Sequence, residues 1–173
     1  VANMSVLGCD LPTEYCGHGP LEATGRNIQL TPNDIAFRLN LTTMDNGMLK
    51  DFSGGHLEQA AANELIQALD EHFCCDTIKF HTGFSYRNIL VLSGPDFSHH
   101  IKTEKPDDNH DQRVVDHLPS AQGAEAKQTE DFLRKLIAEA PAILENCPAN
   151  KQKKENNKPQ ANGVWPWSGG KAG

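Results

Sequence analysis

Arg38 and Asn40 are the residues whose types and spacing best suit chemistry with an anion. They fall in a segment of strict period-two alternation, which predicts a strand buried on one side only. The apolar positions are Ile35, Phe37, Leu39 and Leu41, and the alternating positions are Ala36, Arg38, Asn40 and Thr42. A guanidinium offers a planar fork of donors, and a neighbouring amide adds a donor and an acceptor. Arg38 and Asn40 together can therefore orient a carboxylate or a phosphate.

A second arginine, Arg87, stands at the entrance of another predicted strand, which runs from Tyr86 to Leu92. Two arginine forks on a small acidic domain suggest capture of an anion. The alternative is a solvated strand face, because a strand with one wet side must carry polar residues there. The alternation around Arg38 is equally compatible with both interpretations.

A glycine-rich loop follows the first strand and its partner. Asp45-Asn46-Gly47 favours a chain reversal, after which the chain returns through Met48 to Phe52 as a hairpin. The loop Ser53-Gly54-Gly55-His56 then leads into a helix. Asp51 and His56 lie on either side of the two glycines and can contact a ligand, but a helix N-terminus commonly carries such residues for capping. Both interpretations of these two residues stand at this stage.

The composition excludes several classes of function. At 173 residues the chain is long enough for one domain with its own core. Its formal net charge of −7 and pI near 5.6 argue against a surface for nucleic acid or an anionic membrane, because both need a basic field. Any bound anion must be small and locally held. No apolar run approaches the length of a membrane span, and no signal peptide is recognisable.

The cysteines and histidines predict no metal site in this chain. Five cysteines are an odd number without CxxC spacing, so they are interpreted as free thiols in a reducing cytoplasm, which is the predicted location. The histidines of the polar stretch 98–120 lack the spacing that would fix a metal and are interpreted as loop histidines in water. The sequence shows no Ser-His-Asp order, HExxH motif, GxGxxG turn or P-loop, and therefore no complete catalytic site.

The periodicity predicts an α+β fold, with a small mixed or antiparallel sheet of about five strands and two main helices packed on it. Strands are predicted at 77–81 and 86–92 in addition to the hairpin. An amphipathic helix of about four turns, from Leu57 to Phe73, is predicted to cover the apolar face of the hairpin. A second helix is predicted from Phe132 to Leu144, with Pro141 as a kink or break near its end.

Three segments are predicted to lie outside these elements. The polar stretch 98–120 is typical of a long loop, and long loops in compact domains are often functional. The lysine-rich stretch 151–160 is predicted to be a solvated linker. Residues 164–167 form a short apolar segment near the end of the sequence.

Three stretches carry a resemblance to a known family: DIAFRLNLTTMDNGMLKDFSGGHL, GFSYRNILVL and PANKQKKENNKPQANGVWPWSGG. They resemble the archaeal-type, cofactor-independent phosphoglycerate mutases of the alkaline phosphatase superfamily, and the resemblance spans nearly the whole chain. In that family the nucleophilic serine lies in a Gly-Ser-Asp-Val-Ala-Asn sequence, and this chain begins Val1-Ala2-Asn3. The resemblance therefore implies that the nucleophile lies just before Val1.

The resemblance also implies a domain organisation. Residues 1–24 would be a core remnant and connector, 25–162 an inserted substrate-binding domain, and 163–173 the return to a phosphatase-like core. That core would be a larger α/β metalloenzyme formed by the same polypeptide, and it is the partner implied for this chain. It would hold two divalent metals, manganese, zinc or magnesium, and this chain would hold none. The chain alone is therefore expected to be catalytically inactive.

The activity implied by the resemblance is the interconversion of 3-phosphoglycerate and 2-phosphoglycerate through a phosphoserine intermediate, in glycolysis and gluconeogenesis. On the family's patterns Ala-Phe-Arg-x-Asn and Ser-Tyr-Arg, Arg38 and Arg87 are the candidates for holding the phosphate or carboxylate of a small phosphorylated metabolite. Asn40, Ser53 and His56 follow as further substrate-binding candidates.

Departures from the family's patterns widen the choice of substrate. Where the family has Gly-Arg-Gly-Pro this chain has Gly17-His18-Gly19-Pro20, and the Pro-His-Asp loop pattern occurs only as Asn109-His110-Asp111. A homoserine kinase-like phosphotransferase of the same superfamily is therefore an alternative. A non-enzymatic module that binds an anionic metabolite or protein through the same face is a second alternative.

Overall fold

A computed structural model describes residues 28–55 and 57–171 of the chain. Its strands are β1 Ile35–Asp45, β2 Met48–Asp51, β3 Ile78–Phe84, β4 Arg87–Leu92, β5 Ile101–Lys102, β6 Ser120–Ala121 and β7 Gly163–Lys171. Its α-helices are α1 Gln59–Phe73, α2 Lys127–Glu145 and α3 Pro148–Glu155, and short 3₁₀ helices cover Pro106–Asn109, Val114–Asp116 and Ala124–Ala126. The predicted α+β class is confirmed.

β1 is the central strand of a five-stranded sheet. It pairs with β4 from Ile35 to Asn40 and with β7 from Ile35 to Thr42, so these two neighbours lie on its opposite edges. β2 pairs with the C-terminal end of β1, and β3 pairs with β4. All of these pairings are antiparallel. Within the described residues the sheet is therefore antiparallel rather than mixed.

The face of the sheet that carries Phe37, Leu39 and Leu41 is packed against two helices. The helix residues in this core are Leu65, Ile66 and Leu69 of α1 and Leu133, Leu136, Ala140 and Leu144 of α2. Each large apolar side chain buried in this way contributes about 1.5–3 kcal/mol, so this layer supplies much of the stability of the fold. The predicted packing of the first helix on the hairpin is confirmed.

The second predicted helix is present but longer than expected. α2 begins at Lys127, before the predicted start at Phe132, and runs through Pro141 to Glu145. Pro141 therefore does not end the helix, although it removes one backbone hydrogen bond. The carboxylate of Glu130 in the first turn pairs with Lys127. A carboxylate near a helix N-terminus is favourable and helps to explain the early start.

The predicted linker at 151–160 is wrong over its first half, because α3 lies there. Asn150 is fully buried and ties this helix to the rest of the domain. Its Nδ2 donates to two backbone carbonyls and its Oδ1 accepts a bond from Ala161 N, all at 2.9 Å. Glu64 of α1 accepts a bond from the backbone of the first turn of α3 at 2.8 Å. Hydrogen bonds rather than an apolar stripe hold the helix, so the hydrophobic pattern did not predict it.

The predicted long loop at 98–120 contains short regular elements. β5 and β6 form a two-stranded sheet, and two 3₁₀ helices lie between them. β7 holds this segment in place, because Trp165 Nε1 donates to Glu104 O at 2.7 Å and Ser168 N donates to Thr103 Oγ1 at 3.0 Å. The segment is therefore attached to the main sheet.

The predicted short apolar segment at 164–167 lies in the first half of the longer strand β7. Because β7 pairs along most of β1, residues 163–171 belong to the same sheet as the strands of the segment 25–162. The predicted division into 1–24, 25–162 and 163–173 stays a prediction, and its first part lies outside the described residues.

Two further predictions concern membranes and thiols. None of the helices within residues 28–55 and 57–171 combines the length and apolar content needed to cross a membrane. Cys74, Cys75 and Cys147 carry free thiols, and Cys9 and Cys16 lie outside the described residues. Burial raises the pKa of the Cys147 thiol.

Candidate anion-binding site

The face of the sheet opposite the helices brings three of the predicted site residues together. Arg38 and Asn40 lie on this face of β1, and Arg87 lies on β4 directly opposite Asn40. A cavity of about 260 Å³ opens here. Its lining residues are Arg38, Asn40, Phe52, Tyr86, Arg87, Lys105, Asp107 and Trp167. The register of the strands therefore places both arginines in one cavity.

The cavity carries a local positive charge. Arg38, Arg87 and Lys105 contribute three cations, and Asp107 contributes one carboxylate. The chain as a whole has a formal net charge of −7. A small cationic cavity on an acidic protein attracts a small anion at short range without creating a surface for nucleic acid.

The guanidinium of Arg38 is stacked on an indole. Arg38 pairs with Trp167 across β1 and β7, and its Cζ lies 5.0 Å from the ring centroid of Trp167. This is the geometry of a cation–π interaction. The contact restrains the position of the guanidinium relative to the ring.

Asn40 lines the cavity but is only 3% exposed. Its Oδ1 accepts a bond from Trp167 Nε1 at 3.0 Å, and its Nδ2 donates to Phe52 O at 3.0 Å. Because one group donates and the other accepts, these two bonds fix the orientation of the amide. The structure thus shows Asn40 holding Trp167, while its contact with a substrate stays a prediction.

The prediction that the second face of β1 is exposed to solvent is wrong for three of the four residues on that face. Ala36 and Thr42 are fully buried and Asn40 nearly so, whereas Arg38 is partly exposed. The residues packed around Ala36 are Ile28, Leu30, Ile89 and Val91. The alternation correctly identified which residues of β1 share this face. It contains no information about residues distant in sequence, such as Trp167, whose side chains pack on the same face.

Arg87 is placed by a hydrogen-bonded turn between β3 and β4. Gln59 of α1 bridges the turn, because its Nε2 donates to Gly83 O and its Oε1 accepts from Ser85 N, both at 2.9 Å. The Cζ of Arg87 lies 5.4 Å from the ring centroid of Tyr86. The first helix therefore fixes the strand end that presents Arg87 to the cavity.

Ser53 does not line the cavity. Its backbone N and its Oγ both donate to Asp51 Oδ1, at 2.7 and 2.5 Å, which closes a local turn. The glycine loop is also held from α3, since Lys153 Nζ donates to Gly54 O at 3.2 Å, and burial lowers the pKa of Lys153. A substrate contact by Ser53 stays a prediction, and His56 lies outside the described residues.

Sequence reasoning missed Lys105, Asp107 and Trp167 as members of the site. Lys105 and Asp107 lie in the segment 98–120, and nothing in their local pattern places them opposite β1. Trp167 offered a weak signal, because strand alternation would put Trp165 and Trp167 on one face of a strand. Recognising that signal required β7 to be identified as a strand of the main sheet.

Within residues 28–55 and 57–171, no group of three histidine, cysteine, aspartate or glutamate side chains is placed to hold a metal ion. His117 Nδ1 lies 2.9 Å from Glu104 Oε2, and His99 stacks on His100. Burial, with smaller effects of His100 and Lys171, lowers the pKa of His99. The resemblance places its two-metal centre in the core outside this chain, and that placement stays a prediction.

Comparison with known proteins identifies the family. The sequence matches the family described as 2,3-bisphosphoglycerate-independent phosphoglycerate mutase over residues 1–150. The chain belongs to this family. The resemblance inferred from three stretches of sequence is confirmed.

Archaeal mutases of the family show how much of such a protein the chain covers. It is 37% identical over 172 residues to the 2,3-bisphosphoglycerate-independent phosphoglycerate mutase of Methanosarcina mazei, covering 99% of this chain and 42% of that protein. It is 35% identical over 170 residues to the 2,3-bisphosphoglycerate-independent phosphoglycerate mutase 2 of Methanothermobacter thermautotrophicus, covering 98% and 40%. The chain thus spans less than half the length of the curated mutases it matches.

Solved structures of similar proteins share the fold. The chain superimposes on the cofactor-independent phosphoglycerate mutase of Thermoplasma acidophilum with a TM-score of 0.79 and 28% identity, covering 98% of this chain and 45% of that one. A Pyrococcus horikoshii protein matches with a TM-score of 0.70 at 19% identity, covering 98% and 36%. At that identity the second match shows the fold alone.

Proposed function

We propose that this chain is the substrate-binding insert of a phosphoglycerate mutase and that its cavity holds 3-phosphoglycerate. The observation that carries the proposal is the convergence of Arg38, Arg87 and Lys105 in one cavity. Phosphoglycerate has a phosphate and a carboxylate, and three cations suit these two anionic groups. Membership in the mutase family supplies the substrate class.

The phosphoryl transfer is proposed to take place in a phosphatase-like core contributed by the rest of such a mutase. There a serine would accept the phosphoryl group, and two divalent metals, manganese, zinc or magnesium, would stabilise the transferring group. The part proposed for the described residues is to bind and orient the substrate. The chain alone is expected to bind the substrate without turning it over.

Arg38 and Arg87 approach the cavity from the neighbouring strands β1 and β4. Two guanidinium forks on adjacent strands can hold two different anionic groups of one ligand with fixed geometry. A mutase must keep the glycerate bound after it has lost the phosphoryl group. The glycerate must then reorient so that its other hydroxyl receives the phosphoryl group. Arginines suit this task because they bind through charge and hydrogen bonds without reacting.

Isothermal titration calorimetry of the 173-residue chain with 3-phosphoglycerate measures the binding affinity and so tests the proposal. Arg38→Ala and Arg87→Ala should each weaken binding by roughly ten- to a hundredfold, the usual cost of a lost charge-assisted bond. Arg113→Ala is the matched control, because it removes the same charge. The Arg113 side chain is 68% exposed and lies near Asp116 rather than in the cavity.

The titration has two outcomes that would contradict the proposal. An equal loss for Arg113→Ala would show that overall charge rather than the cavity governs binding. No measurable heat from the folded wild-type chain would remove phosphoglycerate as its ligand.

Asp107 favours a second candidate function. A carboxylate in a cationic cavity can pair with an ammonium group, which homoserine has and phosphoglycerate lacks. A homoserine kinase-like phosphotransferase is therefore the second candidate. Asp107→Asn should weaken homoserine binding and leave 3-phosphoglycerate binding equal or stronger, so titration of both ligands separates the two functions.

A further inference from the structure

We infer that Trp167 is a positioning residue, which holds the guanidinium of Arg38 in the orientation that binds the anion. The inference rests on the proposed function, because it concerns the same cavity. It is carried by the stack of Arg38 on the indole at 5.0 Å and by the bond from the indole to Asn40 at 3.0 Å.

An arginine needs positioning because its side chain is long and flexible. A ligand that fixes such a side chain must offset the rotamer entropy that is lost. Trp167 is itself rigid, since it is only 9% exposed and its Nε1 is bonded to Asn40. A guanidinium already stacked on this indole loses less freedom when the anion arrives, which raises affinity.

The amide of Asn40, which bonds to the indole of Trp167, is itself held by a second hydrogen bond. Asn40 Nδ2 donates to Phe52 O at 3.0 Å, which leaves Asn40 Oδ1 facing Trp167. A flipped amide would set two donors against each other at one end and two acceptors at the other. The chain of contacts from Phe52 through Asn40 to Trp167 therefore has one stable arrangement.

Arg87 provides an internal contrast. It is exposed, and its aromatic neighbour Tyr86 is the adjacent residue of the chain rather than a residue of another strand. No cross-strand indole bonded to a buried amide supports it among the described residues. The positioning device is therefore specific to Arg38.

A double-mutant cycle on the 173-residue chain tests whether Trp167 acts through Arg38. Trp167→Leu removes the ring and should weaken 3-phosphoglycerate binding by roughly three- to thirtyfold, the range of a cation–π contact. Trp167→Phe keeps an aromatic face and should lose less. In the Arg38→Ala background, Trp167→Leu should change binding by no more than about twofold, because the residue it positions is gone.

A fluorescence measurement leaves Trp167 intact and so does not depend on the folding of its variants. The chain has two tryptophans, so Trp165→Phe makes Trp167 the only one. Because Trp165→Phe also removes the bond to Glu104 O, every comparison is made within this background. In this background Arg38→Ala should shift the emission of Trp167, because the cation over the ring is removed. Adding 3-phosphoglycerate should change the emission only when Arg38 is present.

The outcomes separate this inference from the proposed function. If Trp167→Leu weakens binding equally with and without Arg38, Trp167 contacts the ligand itself, and the inference is overturned. If Arg38→Ala weakens binding while both Trp167 variants bind like the wild type, the inference alone fails. If Arg38→Ala leaves binding unchanged, the proposed function fails at Arg38 and the inference fails with it.

Discussion

The two faces of the five-stranded sheet use one strand in opposite ways. On the first face, Phe37 and Leu39 of β1 pack against α1 and α2, where removal of apolar area from water stabilises the fold. On the second face, Arg38 and Asn40 of the same strand meet Trp167 of β7. Residues that stabilise and residues proposed to bind are thus neighbours in sequence and are separated only by the period of the strand.

The faces also differ in what covers them. The helices over the first face carry regular apolar stripes, and shape complementarity decides the packing there. The second face is covered by irregular segments, and one of them is held to β7 through individual hydrogen bonds such as that from Trp165 Nε1 to Glu104 O. We therefore expect substitutions on the first face to act on stability and those on the second face to act on binding.

The largest effect is expected for Phe37→Ala on the helix-covered face. Phe37 is fully buried, and its truncation should lower the free energy of unfolding by about 3–5 kcal/mol through lost burial and an unfilled cavity. Denaturant unfolding measures this change, with the exposed Val115→Ala as a control that should change stability by no more than about 0.5 kcal/mol. A loss of less than about 1 kcal/mol for Phe37→Ala would contradict the assignment of the main core to this face.

Arg38→Lys should have the next largest effect, on the opposite face and in a different quantity. A lysine keeps the charge but cannot reproduce the planar fork of donors, so the binding free energy for 3-phosphoglycerate should weaken by about 1.5–3 kcal/mol, or roughly ten- to a hundredfold in affinity. Stability should change by less than about 0.5 kcal/mol. Calorimetric titration and thermal unfolding of the same sample measure both. Wild-type affinity in Arg38→Lys would return Arg38 to the solvated-face interpretation.

If Arg38 and Arg87 grip one anionic group, the double variant Arg38→Ala with Arg87→Ala should lose less than the sum of the single losses. Additive losses would instead assign the arginines to separate groups of the ligand.

Gly169→Ala probes the point where the two faces depend on each other. Gly169 lies in β7 close to Trp167, but a Cβ added there would overlap the ring of Phe37 on the helix-covered face. We expect a loss of about 2 kcal/mol from overpacking. Gly163→Ala is the matched control: its Cβ would lie 2.6 Å from Met44 Sδ, and the flexible methionine can move away. An equal loss of unfolding free energy for Gly169→Ala and Gly163→Ala, measured by urea denaturation, would contradict this account.

The smallest expected effect is a pH dependence of stability from His81. His81 lies on β3 opposite Ile89, and burial lowers its pKa below the ordinary value of 6.5. The unfolded chain binds the proton more readily, so the stability contributed by neutral His81 is present above 6.5 and is lost as the pH falls through the lowered pKa. The free energy of unfolding should decrease from about pH 7.5 to about pH 5, and this decrease should be smaller for His81→Gln than for the wild type. The pKa of His99 is lowered as well, so part of the decrease in unfolding free energy should remain in His81→Gln.

The sequence predicted those parts of the fold that depend on neighbouring residues. Alternation around Arg38 separated the two faces, and the helical period from Leu57 to Phe73 identified α1. The same local reasoning selected Arg38 and Arg87, and the strand register brings both into one cavity. Short-range periodicity was sufficient in each case because burial on one side of an element is encoded within that element.

The parts that escaped prediction depend on contacts between distant segments. Trp167 reaches Asn40 across 127 positions of sequence, and no local pattern announces that bond. Asn150 docks α3 through hydrogen bonds in a stretch that is otherwise lysine-rich, so composition favoured a linker. Lys105 lies in a segment that is held by β7 and by the β1–β2 hairpin, both distant from it in sequence. Each of these contacts required the tertiary structure.

The pairing of β7 with β1 also affects the domain while the ribosome is still making it. α1 and β4 become available to β1 early, but the partner for its other edge is synthesised about 127 residues after Asn40. At ordinary translation speeds of about 5–20 residues per second this delay lasts roughly 6 to 25 seconds. During that interval one edge of β1 presents unpaired N–H and C=O groups, which are a template for pairing with another chain. The strand that carries Arg38 is therefore exposed to aggregation during synthesis and enclosed on both edges once β7 has arrived.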